Sequence, residues 1–214
     1  MHVVETPTHG RYLVGQTDGA GPAPMLVGFH GYGEHADQHL AELDRIPGSE
    51  RWLRVSVQAL HRFYSTSRNH VVGSWMTRQD REQTIADNLA YVAAVITRVA
   101  TDYDVRDTLV YAGFSQGVAM AYRAATRVPR RCDGLIVLGS DLPPELRHDP
   151  AIDWPPVLVG RGRTDEWYTD AKMKADLSFL TDTGAPVDSL VFDGGHEWTD
   201  AFRKAAGRFL AARS

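Results

Sequence analysis

Short apolar runs alternate along the chain with longer stretches in which apolar residues recur at helical spacing. The runs are rich in valine and leucine and are followed by glycine, serine or polar residues. Such runs are typical of strands that are buried on both faces of a parallel sheet. They occupy residues 25–30, 53–57, 108–113, 134–139, 156–160 and 189–192, and a further run at 11–16 predicts an edge strand.

The stretches between the runs predict helices. Apolar residues recur every three or four positions from Asp80 to Tyr103, which gives one apolar helix face. The alanine-rich residues 116–127 form a second helix, and residues 169–184 and 199–213 form two more. This alternation predicts a mostly parallel, twisted sheet of about seven strands with helices on both faces.

A serine between two glycines follows one of the strand runs. In a parallel sheet, functional residues lie at the carboxyl ends of strands. If a strand ends at Gly113 and a helix begins near Gln116, Ser115 must adopt a strained backbone and present its hydroxyl above the sheet. Gly113 and Gly117 would then relieve the crowding, because they lack a Cβ atom. The pattern predicts a nucleophile, and the alternative is an ordinary glycine-rich turn.

A nucleophilic serine needs a general base, and the base should follow it in the chain. Two histidines lie downstream of Ser115. His196 follows the last strand run and two glycines and precedes a helix, in a loop at a predicted strand end. His148 lies in an irregular segment and is interpreted as a surface residue. We therefore predict His196 as the base.

The acid that orients the base has several candidates. Asp165 follows the penultimate strand run, and Asp141 follows the run before it. Glu166 and Asp193 are close by. Asp165 is preferred, because the acid after the penultimate strand commonly meets the histidine after the last one, and Asp141 is the second choice. Either aspartate could instead be a cap or turn residue.

The oxyanion of the intermediate should be bound by two backbone N–H groups. One is predicted to be that of Gln116, at the start of the helix after the serine. The other is predicted to be that of Tyr32, where Gly31 and Gly33 let the backbone bend toward the site. These residues follow an early strand run, at the same edge of the sheet as Ser115.

Metal and phosphate chemistry are less well supported. His30, His35 and His39 could be metal ligands, but no glutamate-containing zinc motif accompanies them. The lysine of a phosphate-binding loop is absent. No metal and no cofactor are predicted.

Four segments together resemble the α/β-hydrolase superfamily and, within it, the phospholipase/carboxylesterase branch that includes the acyl-protein thioesterases. The segments are FHGYGE (29–34), GFSQGVAMA (113–121), GRTDEWY (162–168) and GGHEWT (194–199). The resemblance implies hydrolysis of carboxylic esters or thioesters without a cofactor. It makes Ser115, Asp165 and His196 a catalytic triad, with Tyr32 and Gln116 forming the oxyanion hole.

The resemblance also implies that Trp75 lines the acyl site. The chain departs from the family pattern at Met76 and Thr77, which replace aromatic and acidic residues, at Val118 and at Glu34, which stands where an aspartate is more usual. These departures weaken any inference about a phospholipid or palmitoyl-protein substrate.

The pocket is expected to be open. Residues 140–155 are too few for a large cap domain, so none is predicted. Residues 61–75 are interpreted as a long loop that forms one wall of the site, with Phe63, Tyr64 and Trp75 as acyl or alcohol contacts. Trp167, and with it Trp198, could lie at the rim.

Composition sets the broad limits. The 214 residues predict one α/β-hydrolase domain over 1–214, and the net charge of −4 gives no reason to expect nucleic acid as a partner. No signal peptide and no membrane span is visible, and Cys132 is the single cysteine, so we predict a cytoplasmic protein without an intrachain disulfide. The expected partner is a small-molecule ester, without stable membrane insertion, and a homodimer stays open.

Two other functions remain to be distinguished. One is a binding module that uses the hydrolase scaffold without turnover. The other is a serine peptidase of the same fold. The complete set of Ser115, Asp165 and His196 argues against the binding module. The peptidase lacks support, because nothing in the sequence provides a second domain that would gate peptides.

Overall fold

The computed structural model describes residues 2–19, 21–65 and 69–213. Within these ranges the chain forms nine strands, five α-helices and two 3₁₀ helices. The strands are β1 (Arg11–Gly15), β2 (Ala23–Phe29), β3 (Leu53–Gln58), β4 (His61–Tyr64), β5 (Val71–Ser74), β6 (Val105–Phe114), β7 (Gly134–Leu138), β8 (Val157–Gly162) and β9 (Val187–Phe192). The α-helices are α1 (Ala36–Asp44), α2 (Arg81–Asp102), α3 (Gln116–Arg127), α4 (Asp170–Asp182) and α5 (Asp200–Ala211). The 3₁₀ helices are Ser49–Arg51 and Pro144–His148.

Seven of the strands form one sheet in the order β1-β3-β2-β6-β7-β8-β9. All neighbouring pairs are parallel except β1 and β3, so β1 is an antiparallel edge strand. The predicted fold class and the edge position of the first strand are therefore confirmed. Because β2 to β9 run parallel within this sheet, the segments that follow their last residues meet at one edge.

The central strands are apolar throughout because both faces of the sheet are covered. Every residue of β2, β3, β7 and β8 is buried. Alternate side chains enter two separate layers: Val27 and Val55 pack with residues of α2, α3 and α4, whereas Leu26 and Val110 pack with residues of α1 and α5. This arrangement explains why the strand runs show no period of two.

The prediction that residues 61–75 form a long loop is wrong, because the segment contains two strands. Strands β4 and β5 pair antiparallel as a separate two-stranded sheet, with His61 opposite Ser74, and residues 66–68 at its tip lie outside the described residues. The hairpin is attached to the turn after β2, where the Gly33 N–H donates to the carbonyl of Gly73 at 3.0 Å. Long-range backbone pairing of this kind leaves little signal in the local sequence.

Helix α1 was not predicted either, since its short amphipathic pattern includes a buried histidine, His39. The connection from β7 to β8, by contrast, matches the expectation that no large cap is inserted there. Its helical content is the 3₁₀ helix Pro144–His148. In the ranges that the structure describes, no helix has both the length and the apolar character needed to cross a membrane.

Two histidines that follow β2 are buried in the domain. His30 and His39 are 0% and 1% exposed. Burial lowers the pKa of His30 to about 4 and the pKa of His39 to about 3, because a charged imidazolium would lose its hydration. Folding therefore requires both side chains to be neutral.

We expect the free energy of unfolding to fall as the pH is lowered from about 6.5 toward 4. The unfolded chain takes up a proton on each histidine in this window and the folded chain does not, so each contributes a slope of about 1.4 kcal/mol per pH unit. Urea unfolding at pH 7.5, 6.0 and 5.0 measures the slope, and His39→Leu should remove about half of it. Parallel curves for the wild type and the variant would contradict this account.

Candidate active site

Ser115 lies at the sharp turn between β6 and α3. Its φ of 51° and ψ of −121° are strained for a residue that carries a Cβ atom. The Ser115 N–H donates to the carbonyl of Leu138 at 2.9 Å, which fastens the turn to the neighbouring strand β7. This backbone presents the hydroxyl above the carboxyl edge of the sheet.

The two flanking glycines are required by close backbone contacts. A Cβ atom on Gly113 would lie 2.6 Å from the carbonyl oxygen of Gly117, in the first turn of α3. A Cβ atom on Gly117 would lie 2.0 Å from the carbonyl oxygen of Phe29, at the end of β2. The prediction that these glycines relieve crowding around the serine is confirmed.

His196 lies in the loop between β9 and α5 and faces the serine. Its Nε2 accepts a hydrogen bond from the Ser115 hydroxyl at 2.8 Å. Its Nδ1 lies 2.9 Å from Oδ2 of Asp165. A carboxylate can only accept, so the proton of the neutral ring is on Nδ1 and Nε2 is free to act as the base. The imidazole also packs against the ring of Phe114, with the centroids 5.0 Å apart.

Asp165 is buried beneath the histidine, in the loop after β8. Its side chain is 1% exposed. While Oδ2 faces His196, Oδ1 accepts the N–H groups of Trp167 at 2.8 Å and Tyr168 at 2.9 Å. Each oxygen therefore has its own partners, and the carboxylate cannot rotate without losing them.

The side chains of the other candidates for the acid and for the base form no hydrogen bond or ion pair with Ser115, Asp165 or His196. The Asp141 side chain is half exposed and lies 3.7 Å from Nζ of Lys172. Asp193 is exposed and pairs with Arg163 at 2.9 Å. Glu166 and His148 are exposed as well. Of the candidate acids, Asp165 is the one that contacts His196.

A second layer of buried polar groups supports the loop that carries Asp165. The Tyr168 hydroxyl donates to Oδ2 of Asp176 at 2.8 Å, and the N–H of Leu142 donates to the same oxygen at 3.2 Å. Arg147 binds the other oxygen of Asp176. Since Leu142 follows β7 and Tyr168 follows β8, Asp176 connects the loops after two neighbouring strands.

Of the four backbone N–H groups of residues 31–34, in the turn after β2, one remains free. The N–H of Gly31 donates to Oε2 of Glu34 at 2.7 Å, that of Gly33 to Gly73, and that of Glu34 to the carbonyl of Gly31 at 3.3 Å. The N–H of Tyr32 makes no hydrogen bond within residues 2–19, 21–65 and 69–213. Gln116, the first residue of α3, also has an N–H without a helical partner.

Buried His30 is part of the scaffold of this turn. Its Nδ1 lies 2.7 Å from the carbonyl oxygen of Gly31, and its Nε2 accepts the N–H of Ala59 at 3.0 Å. Nδ1 therefore carries the proton and donates to Gly31. The alternative in which His30, His35 and His39 bind a metal ion is not supported by the structure. Among the described residues, no three histidine, cysteine or acidic side chains are placed to hold a metal ion.

Trp75 does not line an open acyl site, which corrects the expectation from the resemblance. Its side chain is 0% exposed and packs edge-on against Phe29, with the ring centroids 5.4 Å apart. The indole N–H donates to the carbonyl of His30 at 2.8 Å, and the backbone N–H donates to Oε1 of Gln116 at 2.8 Å. Trp75 thus braces the two predicted oxyanion segments from inside.

Of the remaining predicted contact residues, Phe63, Tyr64 and Trp167 are exposed, and the expectation that Trp198 lies at the rim is wrong. The ring of Phe63 lies 5.5 Å from that of Tyr32, beside the free N–H of the turn. Tyr64 is the next residue of β4, and the alternation along a strand directs it away from Tyr32. Trp167 is 75% exposed, two residues after Asp165, whereas Trp198 is buried against Phe114.

Gly139 was missed by the sequence analysis although it contacts the site. It is the residue directly after β7 and has a φ of 78°. A Cβ atom at this position would lie 3.0 Å from Cε1 of His196. Its signal in the sequence was a glycine at a strand end, which the chain shows at several places.

The sheet order, the strained serine turn and the loops after β8 and β9 together define the α/β-hydrolase fold. Comparison with solved structures supports this assignment. Esterase PE8 is similar with a TM-score of 0.78 and 19% identity, over 97% of this chain and 100% of that one. The Bacillus cereus carboxylesterase is similar with a TM-score of 0.75 and 14% identity, over 96% and 95%.

A third similar structure is acyl-protein thioesterase 2 from Zea mays, with a TM-score of 0.72 and 18% identity over 96% of this chain and 99% of that one. No protein-family model and no curated protein matches the sequence. At these identities the likeness establishes the fold, and the chemistry must be argued from the site.

Proposed function

We propose that this protein is a serine hydrolase that cleaves carboxylic esters or thioesters through an acyl-enzyme on Ser115. The observation that carries the proposal is the unbroken hydrogen-bond chain from Ser115 through His196 to Asp165, with distances of 2.8 and 2.9 Å. Three side chains from distant parts of the chain have the order and geometry that nucleophilic catalysis requires. The esterase and thioesterase names of the similar structures agree with this chemistry.

In the first step, Nε2 of His196 takes the proton of the Ser115 hydroxyl as its oxygen attacks the substrate carbonyl. Asp165 keeps the imidazole in the Nδ1–H tautomer and stabilises the imidazolium that forms. The protonated ring then gives its proton to the departing alcohol or thiol, which leaves the acyl group on Ser115.

In the second step, water hydrolyses the acyl-enzyme, with His196 again acting as base. The free N–H of Tyr32 and the N–H of Gln116 bind the oxyanion in both steps. A lost donor of this kind lowers kcat by about 10²–10³-fold. The cycle needs no cofactor.

The substrate should lie across an open surface. Trp75 and Phe114 fill the space beneath the serine turn with buried side chains. The exposed apolar surface beside the proposed oxyanion hole comes from Tyr32 and Phe63, and exposed Trp167 follows Asp165, whose carboxylate accepts its backbone N–H. We infer that Phe63 and Trp167 contact the acyl or alcohol group of a small-molecule ester.

A fluorophosphonate probe tests the proposal against a binding module. It reacts with serines that a base has activated, so the wild type should be labelled at Ser115 and Ser115→Ala should not be labelled. Peptide mapping of the labelled protein identifies the position. A folded wild type that is never labelled, or labelling that survives Ser115→Ala, would contradict the proposal.

The substrate class is tested by turnover. We expect p-nitrophenyl esters of increasing chain length, an acyl-CoA and a p-nitroanilide to rank with esters or thioesters above the amide, because alkoxide and thiolate leave more readily than an amine. Initial rates at equal concentrations measure this. Faster cleavage of the amide would favour the peptidase alternative instead.

A further inference from the structure

Glu34 closes the turn that carries the free N–H of Tyr32. Its carboxylate accepts the N–H of Gly31 at 2.7 Å, and its own backbone N–H donates to the carbonyl of Gly31 at 3.3 Å. One residue thus holds both polar groups of Gly31. The arrangement is similar to the capping box of helices, in which a glutamate reaches back three residues to a backbone N–H.

This clamp matters because Gly31 is the residue that could move most easily. Glycine lacks a Cβ atom and can adopt many backbone conformations. The carbonyl of Gly31 and the N–H of Tyr32 belong to one planar trans peptide unit, so they point in opposite directions. The backbone N–H of Glu34 and the ring of His30 hold the carbonyl of Gly31, while the Glu34 carboxylate holds its N–H. With both polar groups of Gly31 held, its backbone angles and therefore the direction of the Tyr32 N–H are determined.

The structure anchors Glu34 itself on two sides. The N–H of Gly73 in β5 donates to the backbone carbonyl of Glu34 at 2.8 Å. The amide of Gln38 in α1 donates to Oε1 of Glu34 at 3.1 Å. The turn is therefore fastened both to the β4–β5 hairpin and to the helix that follows it.

Glu34 occupies this position at an energetic disadvantage. Burial raises its pKa and the negative charge of Glu42 adds to that effect, whereas the N–H of Gly31 lowers the pKa, as does His196 when its ring is protonated. Among the described residues, no lysine or arginine forms an ion pair with Glu34. Hydrogen bonds from Gly31 and Gln38 therefore hold this half-buried carboxylate in place of a cation.

We propose that Glu34 is a positioning residue that aims the N–H of Tyr32 at the oxyanion. This inference rests on the proposed hydrolase function and adds to it a residue that touches neither the substrate nor the triad. Its effect should appear in the step that forms the oxyanion, and not in the binding of the substrate before that step.

Two variants of nearly equal size separate the hydrogen bond from the packing. Glu34→Met fills the same volume but has no acceptor for Gly31, and it removes a poorly hydrated charge, so the fold should persist. Glu34→Gln keeps a side-chain oxygen that can accept the N–H of Gly31, although without the charge. Asp37→Asn is the charge control, because Asp37 is an exposed acid of α1 whose carboxylate lies 3.3 Å from the ring of His35 and forms no ion pair with residues 31–34.

We expect Glu34→Met to lower kcat for an ester by about 10²-fold, near the value for one lost oxyanion donor, with KM changed less than about threefold. Glu34→Gln should recover most of this loss, and Asp37→Asn should match the wild type. The affinity for a trifluoromethyl ketone, which forms an oxyanion on the serine, should fall in parallel with kcat. Thermal unfolding shows whether each variant is folded.

A wild-type kcat in folded Glu34→Met, an unchanged kcat with a raised KM, or equal losses in the Met and Gln variants would overturn the inference. If Glu34→Met does not fold, Glu34→Ala is measured and judged by the same criteria. These outcomes differ from a failure of the proposed function, in which the wild type itself neither reacts with the fluorophosphonate nor hydrolyses esters.

Discussion

Ser115→Ala should lower kcat for ester hydrolysis by about 10⁶-fold. The substitution removes the oxygen that attacks the substrate and leaves the imidazole without a proton to accept. Any residual rate would come from the oxyanion donors and from binding, which the substitution leaves in place. Initial rates with an activated ester measure the loss, provided that the preparation contains no wild-type enzyme.

The fold should tolerate this change. The backbone N–H of Ser115 donates to Leu138 and the flanking glycines keep their contacts, so the turn does not depend on the hydroxyl. We expect the thermal midpoint of Ser115→Ala to lie within a few degrees of the wild-type value, about the range of an ordinary substitution. A loss of less than about tenfold in a folded variant would mean that Ser115 is not the nucleophile.

Asp165→Asn should lower kcat by about 10⁴-fold, through the tautomer of His196. The oxygen of the new amide must face the N–H groups of Trp167 and Tyr168, as Oδ1 of Asp165 does. Its NH₂ group then faces Nδ1 of His196, which has to accept instead of donate. The ring proton moves to Nε2, where it blocks transfer from the serine.

Asp141→Asn is the matched control for this experiment. Asp141 also follows a strand of the sheet, but it pairs with Lys172 near the surface and does not contact His196. We expect its kcat to stay within about twofold of the wild type, as for an exposed ion pair of little energetic weight. If Asp141→Asn is damaging and Asp165→Asn is not, the assignment of the acid is wrong.

Residues with local signatures were predictable. Ser115 stands between glycines after a strand run, and His196 follows the last run, so strand order alone brings both to one edge of the sheet. Asp165 could be preferred over Asp141 but not chosen with certainty, because both follow strands. Direct contact with His196 separates them in the structure.

Residues whose role depends on long-range contacts were not predictable. Trp75 was placed at the acyl site, but its indole N–H is taken by the carbonyl of His30 inside the domain. Glu34 could be noted only as a departure from the family pattern, since its bond to Gly31 depends on the turn that the β4–β5 hairpin anchors. The β4–β5 hairpin was not predicted either, because its two four-residue strands are too short to show an apolar periodicity.

The order of residues along the chain is enough to predict the alternation of buried strands and amphipathic helices, and with it the parallel sheet and the edge at which Ser115 and His196 lie. These features follow from hydrophobic periodicity and from glycines that backbone crowding requires, which are local properties of the chain. Only the folded domain shows which carboxylate meets the imidazole, which N–H of residues 31–34 stays free and which aromatic rings are buried. Those outcomes depend on hydrogen bonds and packing between segments far apart in sequence, which the local pattern of residues does not specify.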